Sequence, residues 1–131
     1  MTFKYIFIVD DDEEDRELFL IAVKKIDTTI QLKEAANGLD ALQKLKQLST
    51  PPDIIFVDLN MPLMDGLSCI TELKKDSRYN NIPIVVLTTS DNPKEKARAQ
   101  SLGASCFLTK PSTVTVLTTR LKAVLANFGN C

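Results

Sequence analysis

Residues 54–66 read Ile54-Ile55-Phe56-Val57-Asp58-Leu59-Asn60-Met61-Pro62-Leu63-Met64-Asp65-Gly66. The stretch opens on consecutive β-branched and aromatic side chains with no polar alternation, the pattern of a strand buried on both faces. Pro51-Pro52 breaks whatever helix comes before it, and an acid, Asp58, stands at the strand's carboxyl end. Pro62 and Gly66 then punctuate the chain before a new amphipathic segment. A strand of this kind needs helices on either side, so the flanking sequence should alternate between the two periodicities.

It does. Upstream, Leu42, Leu45 and Leu48 line a helix that follows Asn37-Gly38, and Ile30 and Leu32 mark a weaker strand. Leu18, Ile21, Ala22 and Ile26 share one face of an earlier helix. Its start carries Glu13, Glu14 and Asp15, where the helix dipole favours acids. Tyr5-Ile6-Phe7-Ile8-Val9 reads as a first buried strand. Downstream, Ile70 and Leu73 face inward from a helix that begins after Gly66, and Ile84-Val85-Val86-Leu87 is another apolar strand after the extended Ile82-Pro83. The next helix runs from about Pro93 to Leu102, with proline in its first turn and Gly103 at its end. Cys106-Phe107-Leu108-Thr109 is a short fifth strand, and Leu117, Leu121, Val124, Leu125 and Phe128 form the stripe of a last helix. Five β–α units imply a doubly wound α/β fold with a mostly parallel sheet covered on both faces.

Composition sets limits. The 131 residues suit a single domain, and a hydrophobic share of 44% with 25% charged residues is that of a soluble globular protein. Sixteen basic and seventeen acidic residues leave a net charge of -1 without a basic stripe, which argues against nucleic acid as a direct partner. The N-terminal apolar run is too short for a signal peptide or a membrane span. Cys69, Cys106 and Cys131 match neither a metal-ligand spacing nor a disulfide framework, so a reducing cytoplasm is expected. On this reading Cys69 and Cys106 are small buried hydrophobes and Cys131 is exposed and incidental. The chain has no histidine. That excludes a Ser-His-Asp triad, a His-ligated metal and a phosphohistidine of its own.

In sheets of this type ligands bind at the carboxyl ends of the strands. Asp10, Asp11 and Asp12 follow the first strand, Asp58 the third, Thr88 and Thr89 the fourth, and Lys110 the fifth. Clustered carboxylates repel one another unless a cation lies between them, and a hard ion with oxygen ligands, magnesium above all, suits the set. A carboxylate can attack a phosphoryl group to form an aspartyl phosphate. Such transfer asks the protein mainly for positioning and charge neutralisation, to which Lys110 can add a point charge and Thr88 a hydrogen bond. The bland alternatives are a solvated acidic helix start for Asp10 to Asp15, a turn residue for Asp58, a strand terminus for Thr88, a surface lysine for Lys110 and a core aromatic for Phe107.

Ile8-Val9-Asp10-Asp11-Asp12, the segment from Val57 to Gly66, Val86-Leu87-Thr88 and Lys110-Pro111 together resemble the receiver domain of two-component response regulators. The likeness covers essentially the whole chain and is nearest to stand-alone, chemotaxis-type receivers. It implies a flavodoxin-like, three-layer fold with strand order 2-1-3-4-5 and five helices, a single receiver domain over residues 1–131 and no output domain. It also implies that Asp58 is the phosphoacceptor, that Asp10, Asp11, Asp58 and the carbonyl of Asn60 hold Mg2+, and that Lys110 binds the phosphoryl group. Thr88 and Phe107 would be the switch pair, and the Lys110–Pro111 bond would be cis. The donor would be a phosphohistidine on a sensor histidine kinase or a histidine phosphotransfer protein. The chain would act in the cytoplasm, as a monomer or a weak phosphorylation-dependent dimer, with catalysis limited to its own phosphorylation and dephosphorylation.

Three departures accompany the likeness. Phe107 keeps a ring where tyrosine is also frequent, Ser112 follows Lys110-Pro111 where many receivers carry phenylalanine, and Asn60 and Ser90 stand where the family tunes phosphoryl lifetime. Two rival functions are a receiver-like binding module that works without phosphorylation, and a phosphohydrolase. The latter usually has a second aspartate two positions after the nucleophile; here Asn60 stands there.

Overall fold

The computed structural model describes residues 3–126. Its elements alternate without exception: β1 (Tyr5–Val9), α1 (Glu13–Ile26), β2 (Gln31–Ala35), α2 (Gly38–Gln47), β3 (Ile54–Val57), α3 (Gly66–Lys75), β4 (Ile84–Thr88), α4 (Pro93–Leu102), β5 (Cys106–Thr109) and α5 (Val114–Ala126). The five strands pair in parallel in the order β2-β1-β3-β4-β5, as the sequence implies.

Strand periodicity splits the core in two. Phe7, Val9, Ile55, Val57, Ile84 and Val86 point to one face, where they meet Ala41, Leu45, Ile70, Leu73 and Ala99 of α2, α3 and α4. Ile6, Ile8, Ile54, Phe56, Val85 and Leu87 point to the other, against Phe19, Ala22 and Val23 of α1 and Leu117, Leu121 and Val124 of α5. The central strands β1, β3 and β4 are therefore apolar on both faces, whereas β2, at the edge, keeps Gln31, Lys33 and Glu34 exposed.

One helix face differs from the sequence expectation. Leu18 and Ile21 are 40% and 42% exposed; of the expected face, Ala22 is buried and Ile26 packs against the core, while Phe19 and Val23 complete the buried side of α1. The aromatic settles the rotation: the Phe19 ring meets Phe56 edge-on, with centroids 5.0 Å apart. Cys69 and Cys106 are both buried, as expected, but one of them departs in its bonding. Cys69 is a buried free thiol, but Cys106, 2% exposed, is disulfide-bonded, so the cysteines carry no argument for a reducing compartment. Phe128 and Cys131 lie outside the described residues. Among those described, no helix is long and apolar enough to cross a membrane.

The amino-end rim of the sheet is closed by directed bonds. Asp53 accepts the backbone N–H groups of Lys4 and Tyr5 on one carboxylate oxygen, and its own N–H donates to the Tyr5 carbonyl. Lys4 Nζ then reaches Asp27 at 2.7 Å and Thr29 at 3.1 Å.

Candidate functional site

At the opposite rim the parallel ladder runs one rung past the strands. The amide of Asp10 donates to the Ala35 carbonyl at 3.0 Å, that of Asp58 to Val9 at 2.9 Å and that of Lys110 to Thr88 at 2.6 Å. Three of the expected site side chains thus leave backbone that the sheet itself holds. Asp10 and Asp58 are only 2% and 7% exposed, and Thr88 is fully buried.

The loops around them are pinned by their own side chains. Asp10 Oδ1 accepts from the Asp12 amide, and Asp12 in turn caps α1 by accepting from Glu14 and Asp15. Arg16, one turn into the helix, donates from Nη1 to the Asp10 carbonyl at 2.6 Å and from Nε to Glu34 at 3.1 Å. On the far side, Asp65 caps α3 and the Gly66 amide donates to the Leu59 carbonyl, closing the loop after Asp58. Within that loop Leu63 has φ 66° and is 80% exposed.

Asp10, Asp11 and Asp58 each offer a carboxylate oxygen, all within 4.8 Å of one another. Oxygen donors at that spacing fit a hard divalent cation. Beside them lies Lys110, whose ammonium is 2.7 Å from Asp10 Oδ2, 2.7 Å from Asp15 Oδ2 and 3.3 Å from Asp58 Oδ2. Burial alone would pull this ammonium down, but its hydrogen bonds to Asp10 and Asp15 and the charges of Asp10 and Asp58 outweigh burial and hold it above its usual pKa. For Asp10 the balance goes the other way. Burial raises its pKa despite the bonds from Lys110 and the Asp12 amide.

Of the expected residues, Asp10, Asp11, Asp58 and Lys110 come together at one rim, with two refinements and one correction. The sequence pattern presents Asp15 only as part of an acidic helix start and does not single out Arg16; both touch the site. The available signal is register. Asp15 lies three residues after the capping Asp12, on the turn that overhangs the first strand's end. Asn60 is exposed in the loop after Asp58, and Phe107 is partly buried against the core beneath α2, α3 and α4. The correction concerns Lys110–Pro111, which is trans; no cis bond occurs among the described residues. The hydrogen bond from the Lys110 backbone N–H to the Thr88 carbonyl and the three carboxylates aim the lysine without it.

A doubly wound sheet with an acidic, cation-competent pocket facing a lysine across its central strands defines a class of phosphoryl-handling signalling domains. This chain belongs to the response regulator receiver domain family, whose profile matches residues 6–122. It is 31% identical over 123 residues to PilG of Pseudomonas aeruginosa, covering 94% of this chain and 88% of that protein. The phosphorylated cyanobacterial phytochrome response regulator RcpA superposes with a TM-score of 0.87 at 28% identity, covering 97% and 96% of the two chains. The Mn2+-bound form of response regulator Rcp1 does so at 0.79 and 29% identity, covering 97% and 95%. Members of the family are two-component response regulators, and phosphorylation on an aspartate by histidine kinases is characteristic of them. They are signalling proteins rather than enzymes of the ordinary kind.

Proposed function

We propose that Asp58 is the phosphoacceptor of this chain and that Mg2+ is the ion held by Asp10, Asp11, Asp58 and the Asn60 carbonyl. The carrying observation is the convergence of the three acidic oxygens within 4.8 Å, with Lys110 3.3 Å from Asp58. One Asp58 oxygen forms an O–P bond while the P–N bond of a phosphohistidine breaks, and the electron pair leaves on the donor's imidazole nitrogen. The donor is a sensor histidine kinase or a histidine phosphotransfer protein. When bound, the metal supplies charge neutralisation at the phosphoryl oxygens. Lys110 supplies a further cation, and its rigid amide anchor keeps that charge at the rim. The same groups would let the chain catalyse the return hydrolysis.

The readout is conformational. Thr88 sits at the end of β4 with its hydroxyl accepting from the Ser90 amide at 3.3 Å. A phosphoryl group on Asp58 offers that hydroxyl a charged acceptor, and Phe107 takes up the space released. The surface of α4, β5 and α5 then shifts its equilibrium, with coupling on the order of 1–3 kcal/mol. The chain works in the cytoplasm on this reading.

The test is incubation with acetyl phosphate and Mg2+, read by intact mass. One phosphoryl group should add to the wild-type chain and none to Asp58→Asn. A chain that takes up neither phosphoryl nor beryllofluoride in the presence of Mg2+ is a binding module that works without phosphorylation.

A further inference from the structure

Among the described residues Lys110 pairs with three carboxylates, and two of them, Asp10 and Asp58, belong to the candidate metal set. The third, Asp15, does not. A divalent cation entering the pocket competes with the ammonium for Asp10 and Asp58 and repels it as well. An anion outside the metal set helps the lysine stay at the rim beside the metal.

We propose that Asp15 is a positioning residue that holds Lys110 beside the pocket while the metal is bound. The inference rests on the magnesium and phosphoacceptor reading above. Three observations support it. Asp15 Oδ2 is 2.7 Å from Lys110 Nζ, closer than Asp58 at 3.3 Å. The turn that carries Asp15 is held in place twice, by the Asp12 cap on its amide and by Arg16 on the Asp10 carbonyl. Asp15 and Lys110 also line one groove with Leu18, Leu87 and Leu117, whose apolar surface limits screening between them. Asp15 therefore offers the ammonium a fixed alternative a short swing from the acids that the metal takes. It leaves the lysine within reach of a phosphoryl oxygen on Asp58.

Mg2+ titrations at constant ionic strength, followed by amide NMR shifts, test this. Asp15→Asn should weaken Mg2+ binding about five- to tenfold, the coupling size of residues in one ion-pair network. Glu14→Gln makes the same charge change on the preceding, exposed residue and should cost less than about twofold, since exposed charges are screened. In a Lys110→Met background, Asp15→Asn should shrink to the Glu14→Gln effect, because no ammonium is left to hold. Thermal melts of each variant confirm that the comparison is made between folded chains. An Asp15→Asn effect no larger than that of Glu14→Gln, or one that survives intact without the lysine, overturns the proposal. A wild-type chain that neither binds Mg2+ nor gains mass with acetyl phosphate overturns instead the functional reading on which it rests.

Discussion

A β-carbon placed on Gly66 would lie 2.2 Å from the carbonyl oxygen of Asp58 and 2.7 Å from the Leu59 backbone. The start of α3 packs directly on the backbone of Asp58, the proposed phosphoacceptor, and neither neighbour is a flexible side chain. Gly66→Ala should therefore cost about 3 kcal/mol of stability through overpacking. It should also lower the rate of mass gain with acetyl phosphate, because Asp58 must give way. Urea denaturation and phosphorylation kinetics on one preparation check both effects.

Magnesium should stabilise the chain. Carboxylates held within 4.8 Å repel in the folded state and are free to separate on unfolding. At a Mg2+ concentration about one hundred times its Kd, the gain should be about 2.7 kcal/mol. The rise in melting temperature should reverse with chelator and vanish in Asp11→Asn.

Arg16 ties α1 to the rim through the Asp10 carbonyl and pairs with Glu34 on the edge strand. Arg16→Ala leaves that carbonyl without its charged donor and should cost about 1–3 kcal/mol. Restoring the charge alone is not enough: Arg16→Lys should recover only part of the loss, since an ammonium lacks the planar fork that serves both partners. Denaturant midpoints of the two variants give the comparison.

Cys69 provides a pH signature. Burial, followed by the nearby Asp65 charge, pushes its thiol from 9.0 up to about 12. Its folded pKa is raised, so the stability it contributes is complete below about pH 9 and lost as pH climbs toward about 12. In that window the unfolded chain releases a proton that the folded chain retains, and stability should fall by about 1.4 kcal/mol per pH unit from this group. The difference in unfolding free energy between wild type and Cys69→Ala, followed from about pH 8 upward, should stay constant at first and shrink through the window.

The face of α1 can be tested by contrast. Phe19→Ala removes a ring that is 1% exposed and should cost about 3–5 kcal/mol. Ile21→Ala, on a side chain 42% exposed, should stay within about 0.5 kcal/mol. Equal losses at the two positions would restore the face expected from periodicity.

That contrast also marks how far the sequence can be read. Runs such as Ile54 to Val57 and Ile84 to Leu87 announce strands because nothing polar interrupts them, and the order of units follows from their alternation with helices. Asp10, Asp58, Thr88 and Lys110 are legible as a set because each ends a strand, and strand ends in a parallel sheet must share a rim. Helix rotation is less legible. In α1 apolar residues occupy nearly every azimuth, and the Phe19–Phe56 ring contact chooses among them. Asp15 is hidden for a different reason: in a run of acids every residue looks like its neighbours until a cation 95 positions away selects one. The trans Lys110–Pro111 bond lies beyond local pattern altogether, since both isomers have the same sequence.

The two ends of the sheet share backbone ties but differ in how many ion-pair partners meet at one point. At the amino end, Asp53 locks the entry of β1 to the entry of β3 through fixed backbone amides. At the carboxyl end, backbone amides carry the ladder past the strands, and Lys110 adds ion pairs with several partners. A rearrangement that begins at Asp58, as proposed, would meet exchangeable ion pairs at the strand tips and fixed backbone ties at the base.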